Sequence, residues 1–257
     1  VIPVLNAEQM RGADRRAIEQ LDVPSAVLME KAGSAVARAL LARFPGRRRV
    51  VVLCGKGNNG GDGFVAATDL QRSAPRVFLL ARRDQLGGDA AKQAAAYERA
   101  GGTFRELPDE RAWREAEPLR DCDLIVDALL GTGLRQAPTG VLAAAIEGIR
   151  EARRARGAAV AAVDLPSGTS SDTGSLPWPA VEADLTVTFA APKWGHVLPP
   201  ACDGVGELLV ADIGIPDAVL RDTQPRLHLL EARDAAAAFP PRRPASHKGD
   251  FGHVLVI

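Results

Sequence analysis

The chain has 257 residues, and its 32 Lys and Arg balance 32 Asp and Glu, for a formal net charge of zero. That balance, without a basic stripe, excludes the electrostatic footprint of a nucleic-acid binder, and neither a signal peptide nor an apolar run of about eighteen residues points to a membrane. Cys54, Cys122 and Cys202 are far apart, lack metal-ligand spacing and read as reduced thiols of a cytoplasmic protein, Cys54 as a core filler.

Residues 7–21 place Met10, Ala13, Ala17 and Leu21 at helical spacing. Residues 25–44 repeat the pattern through Leu28, Met29, Ala32, Val36, Leu40 and Phe44. Strand and helix then alternate. Apolar runs at 50–54, 77–81, 124–129, 158–163, 185–189 and 207–211 predict strands, and 64–71, 88–100 and 141–153 predict helices. This alternation predicts an α/β domain over residues 1–238, a three-layer αβα sandwich around a mostly parallel sheet. Residues 240–244 are rich in proline and arginine and read as a linker. The apolar run 254–257 resembles the first strand of another sheet, so residues 239–257 are expected to be a linker and the opening of a second, truncated domain. The alternative is a C-terminal edge strand of the first sheet. The chain opens on Val1, in keeping with a processed or excerpted product.

The most informative stretch is 55–63, Gly-Lys-Gly-Asn-Asn-Gly-Gly-Asp-Gly, directly behind an apolar strand. Strand, glycine turn and helix form the phosphate-handling corner of a doubly wound fold, because glycines admit a ligand close to the backbone and a helix N-terminus favours negative charge. Asp62 is expected to cap that helix. Asn58 and Asn59 add side-chain amides that a plain phosphate loop does not need. Residues 55–60 also satisfy Gly-x-Gly-x-x-Gly, but the acidic residue that the dinucleotide fingerprint wants about 20 positions on is missing. The next strand ends in Arg82 and Arg83 instead. An NADP-dependent oxidoreductase would accept arginines there and stays open as a second reading; a tight turn without a ligand is the plainest one.

Three later loops follow strands and face the same sheet edge, where open α/β sheets bind ligands. They are Asp127 with residues 128–134, Asp164 with Leu165, Pro166, Ser167 and Gly168, and Ala191-Pro192-Lys193. Singly, Asp127 and Asp164 could be caps or turn formers. Their shared position at strand ends, with the asparagine pair, reads as one ligand site.

The motifs GKGNNGGDG, VDALLGTGL, DLPSG and APK, preceded by LNAEQMRGADRRAIE and LMEKAG, resemble the NAD(P)HX epimerase family, the YjeF N-terminal domain, in order and over nearly the whole chain to the linker. HKGDFGHVLVI resembles the start of the ribokinase-like, ADP-dependent NAD(P)HX dehydratase fused behind the epimerase in many bacterial proteins. Lys31 departs from the asparagine usual in its turn, which leaves the part played by that turn in the site or in a dimer open.

The resemblance implies a Rossmann-like fold, a homodimer or higher homo-oligomer, and interconversion of the R and S hydrates of NADH and NADPH, so that a dehydratase can restore the cofactor. It implies Asp164 as acid and base, with Lys193 as its partner or a fixed charge. It assigns substrate contacts to Asn58, Asn59, Gly60, Gly61 and Asp62, to Gly131, Thr132, Gly133, Leu134 and Arg135, and to Asp164. It also implies a potassium ion at Asn59, Asp127 and Ser167, where one carboxylate among neutral oxygens suits a weakly charged ion. A non-catalytic, dimerising scaffold of the same fold is the third reading, against which Asp164 and Lys193 are both present.

Overall fold

The computed structural model describes residues 1–238 and 244–251. In chain order the elements are β1 (Ile2–Val4), α1 (Ala7–Gln20), α2 (Ser25–Arg43), β2 (Val50–Cys54), α3 (Asn58–Asp69), β3 (Arg76–Leu79), α4 (Gly88–Arg99), β4 (Phe104–Glu106) and α5 (Glu110–Ala116). They continue with β5 (Leu124–Ala128), α6 (Gly140–Arg156), β6 (Ala159–Val163), β7 (Leu185–Phe189), α7 (Trp194–Val197), β8 (Glu207–Ala211), α8 (Asp217–Asp222), β9 (Leu227–Leu229) and α9 (Ala232–Ala238).

Seven strands form one sheet in the order β4-β3-β2-β5-β6-β7-β8. Every pairing in it is parallel. All five residues of β2, β5, β6 and β7 are buried, because helices cover both faces and leave these strands no side facing solvent. Alternation along β2 divides the core. Val50, Val52 and Cys54 pack with α1 to α4, whereas Val51 and Leu53 pack with α5 and α6 on the other face. The expected three-layer αβα architecture is therefore present.

The order of strands reverses at β2. From β2 the chain passes through α3 to β3 on one side, and from β5, the neighbour of β2 on the other side, it passes through α6 away from it. The loops after β2 and β5 thus diverge and open a crevice at the carboxyl edge, the place where such sheets receive ligands. A second, two-stranded antiparallel ribbon joins β1 to β9. Leu5, just beyond β1, bridges in parallel to Lys193, with Leu5 N–H donating to the Pro192 carbonyl at 2.9 Å and Trp194 N–H to the Leu5 carbonyl at 3.2 Å. The N-terminal segment is thereby tied to the loop after β7.

One expectation is corrected here. Asp62 does not cap α3: the helix starts at Asn58 behind Gly57, which offers no side-chain cap, so Asp62 is already in its second turn. Gly55 and Gly57 do precede the helix, but Gly60, Gly61 and Gly63, also expected in the turn, are helical because packing demands them. A Cβ on Gly60 would run into the carbonyl of Gly55, and one on Gly55 into the carbonyl of Leu129. The predicted linker lies mostly outside the described residues and the strand at 254–257 wholly so; Lys248–Phe251 form a short 3-10 turn.

Candidate active site

The crevice is a cavity of about 800 Å³, within the range of small-molecule sites. Asn58, Asn59 and Asp62 of α3 line one wall, residues 131–134 after β5 another, and Asp164 and Lys193 the floor. The first two helices close it from above with Met10, Arg11 and Asp14 of α1 and Leu28 and Met29 of α2. Three of the residues assigned to substrate do not line it. Gly60 and Gly61 face inward, against the Gly55 carbonyl and the Met29 sulfur, and Arg135 is exposed beyond the rim.

Asp164 follows β6 with a φ of 64°, left-handed backbone that aspartate tolerates better than most residues. Its Oδ1 accepts from Lys193 Nζ at 2.7 Å and from Thr188 Oγ1 at 2.9 Å. Its Oδ2 is not used by any neighbour among the described residues and faces the cavity. A Cβ built on Gly131 would stand 3.3 Å from both this oxygen and Asn59 Oδ1, so glycine there keeps the space between them open.

Lys193 is 1% exposed. Its ammonium also donates to Thr188 Oγ1 at 2.8 Å and to the Phe189 carbonyl at 3.1 Å. Its three donors are thus all engaged. Burial by itself would raise the Asp164 carboxyl, but the Lys193 charge and hydrogen bond, with His196 and Thr188, outweigh it and hold the carboxyl below its ordinary range. His196 braces the pair from behind. Lys193 N–H donates to His196 Nδ1 at 2.8 Å, which leaves the ring proton on Nε2 to donate to the Asp164 carbonyl at 2.7 Å. Burial, then the Lys193 charge, pushes the imidazole down to about 4, so it stays neutral and keeps this tautomer.

Asp127, on the neighbouring strand, is 0% exposed and lies beneath the cavity. It accepts from Ser167 Oγ at 2.6 Å, from Ser167 N–H at 2.8 Å and from Leu129 N–H at 3.3 Å. Among the described residues no basic side chain acts on it, and burial, opposed by these bonds, raises its carboxyl to about 6. Asp127 and Ser167 are therefore joined, while Asn59 lines the cavity with its Nδ2 buried and unpartnered.

Thr188 and His196 carry no motif in the sequence. The one available signal was polar residues on β7, a strand buried on both faces, where Thr186 and Thr188 interrupt apolar positions. Arg82 and Arg83, the arginines compatible with an NADP site, are occupied otherwise: Arg82 pairs with Asp84 at 3.2 Å and Arg83 with Glu98.

Residues 25–195 match the family model described as YjeF-related protein N-terminus. The chain is 41% identical over 260 residues to the bifunctional NAD(P)H-hydrate repair enzyme Nnr of Moorella thermoacetica, covering 99% of this chain and 48% of that protein. It is 39% identical over 222 residues to the NAD(P)H-hydrate epimerase of Rhodopirellula baltica, covering 86% of this chain and 88% of that one. The chain thus spans about half the length of the bifunctional relatives and most of the epimerase. Its fold is shared with the crystal structure of the yeast protein ynu0, at a TM-score of 0.72 and 23% identity over 88% of this chain and 96% of that one.

Proposed function

The chain belongs to the YjeF-related N-terminal family, and from that premise we propose that it is an NAD(P)H-hydrate epimerase, which interconverts the R and S hydrates of NADH and NADPH. The observation that carries the reading is the Asp164 carboxylate, held on one oxygen by Lys193 and Thr188 and open on the other to the cavity at the strand-order reversal.

In the hydrate, the hydroxyl-bearing C6 adjoins the ring nitrogen. The nitrogen lone pair expels the hydroxyl and leaves an iminium, and water then adds from the opposite face. Asp164 Oδ2, ionised and oriented, takes the proton of the entering water. Lys193 works as a fixed charge, since its donors are engaged and none remains for the substrate. The Asn59 amide, otherwise without a partner, can donate to an oxygen of the ligand.

The proposed potassium ion would be held by Asn59, Asp127 and Ser167. The donors suit it: a buried carboxylate on which no basic group acts among the described residues, a hydroxyl and an amide oxygen, while among the described residues no group of three or more His, Cys, Asp or Glu side chains is placed to hold a metal ion. When bound, the ion supplies positive charge beside the substrate.

The same proposal includes a cytoplasmic location, in keeping with three free thiols, and self-association, in keeping with Leu209 and Val210, each 37% exposed on edge strand β8. Among the described residues no helix is long and apolar enough to cross a membrane. A dehydratase consuming the S hydrate completes the repair.

The test supplies the pure R hydrate and follows the S hydrate by chromatography, with uncatalysed exchange subtracted. Conversion at the background rate would overturn the reading. A change in nicotinamide redox absorbance would instead favour the oxidoreductase.

A further inference from the structure

With Asp164 taking a proton from the entering water, a donor is still required for the hydroxyl that leaves. Deep in the cavity the carboxyls of Asp164, of Asp62 on α3 and of Asp14 on α1 share its lining with the buried ammonium of Lys193, which is committed to Asp164. Asp62 lies three and four residues beyond Asn59 and Asn58, on the same face of α3, so the three side chains share one wall. It is 8% exposed, and its carboxyl receives and makes no hydrogen bond among the described residues. A carboxyl buried this far and left without a partner, yet bordering a ligand cavity, is poised for a bond to the ligand.

The geometry points to Asp62 as the proton donor to the departing C6 hydroxyl, opposite in role to Asp164. This inference rests on the epimerase reading. In the step, the C6–O bond breaks with its electron pair going to oxygen, which collects the Asp62 proton and leaves as water, while the nitrogen lone pair forms the iminium π bond. Water then adds to C6, the π pair returns to nitrogen and the surplus proton passes to Asp164. Nothing is oxidised or reduced. One turnover leaves Asp62 anionic and Asp164 protonated, and the reverse reaction uses them in exchanged roles.

The surroundings favour this division. Burial, followed by the negative charges of Asp164 and Asp14, pushes the Asp62 carboxyl well above its ordinary range, with Lys193 opposing. Arg11 from α1, Lys56 from the turn and Asp89 from α4 also face the cavity. Two carboxyls whose environments drive them apart, one neutral and one ionised, are the arrangement that acid–base pairs use.

The test is Asp62→Asn, assayed from pure R and from pure S hydrate, with affinity measured by calorimetry on the equilibrated mixture, which the enzyme does not alter. We expect kcat to fall by about 10² to 10⁴ in both directions with Kd within a few-fold, and Asp62→Glu to recover part of the loss. Wild-type turnover in Asp62→Asn overturns the inference, as does a loss of affinity at unchanged kcat. If Asp62→Asn does not fold, the wild-type kcat decides: a fall as pH rises through the Asp62 titration supports the donor, and a profile flat to high alkalinity overturns it. An inert wild-type enzyme is a separate result, which removes the epimerase reading and this inference with it.

Discussion

The ends of β5 and β6 lie side by side, Asp127 in register with Ala162, and each delivers an aspartate into the interior. Their chemistry diverges. Asp127 receives three neutral hydrogen bonds, yet burial still raises its carboxyl to about 6. Asp164 is also buried, and the Lys193 ammonium turns the balance the other way. Neutral donors thus do not offset complete burial here, whereas one adjacent cation does. The difference extends to access: both Asp127 oxygens are engaged beneath the cavity, while one Asp164 oxygen faces it.

The strongest way to break this contrast is Asp164→Asn, which keeps the shape and removes the titrating proton. Turnover of R hydrate should drop by about 10² to 10⁴ while affinity changes only a few-fold. A wild-type rate would take Asp164 out of the reaction.

Lys193→Met should turn Asp164 into a second Asp127. Removing one partner of a buried ion pair costs about 3–5 kcal/mol, readable by denaturant unfolding. In the wild type the Asp164 carboxyl is held below its unfolded value, so its stabilising contribution is complete above that value and is lost as pH falls through the folded one. In the variant the sign reverses, and stability should fall as pH rises through the elevated value. An unchanged pH dependence of unfolding would contradict the assigned role of the ammonium.

Asp127→Ala sharpens the other side. It leaves the amides of Ser167 and Leu129 without their acceptor, at about 1–3 kcal/mol for each unsatisfied group. If potassium sits there, exchanging potassium for tetramethylammonium should lower the wild-type Tm and the substrate affinity, but leave this variant unmoved. An equal response in both proteins would place the ion elsewhere or nowhere.

The smallest effect is expected at Asp14, raised by burial to about 6. Its folded form binds more protons than the unfolded chain between roughly pH 4 and 6, so wild-type stability should decline as pH rises across that window. Asp14→Asn should flatten the decline in thermal melts. Identical slopes would mean that Asp14 does not sense the cavity.

The central sheet was legible because its longer strands are predominantly apolar runs. The expected limits of β2, β7 and β8 coincide with those observed: β2 and β7 are buried on both faces, and β8, although a partly exposed edge strand, keeps the apolar run Leu208-Leu209-Val210-Ala211. The short strands β1, β4 and β9, three residues each and partly exposed, carry no such signal. The start of α3 was hidden for the opposite reason: Gly60, Gly61 and Gly63 each cost a helix about 1 kcal/mol relative to alanine, so local preference favours a turn. Close packing on Gly55, Met29 and Ala128 prevails over it. Asp164 and Lys193 were visible at strand ends, whereas Thr188, His196 and Asp14 join them only through tertiary contact.

The stitch between Leu5 and the Lys193 loop bears on how this protein can be dissected. A fragment trimmed to residues 25–195, the extent of the family match, would retain Asp62, Asp127, Asp164, Ser167 and Lys193. It would discard the Leu5 bridge that braces the lysine loop, the whole of α1 with its share of the cavity roof, and, by a single position, the imidazole that grips both Asp164 and Lys193. Such a minimal module would hold the chemical groups without the scaffold that aims them, so boundaries drawn from similarity are poor cutting points for expression.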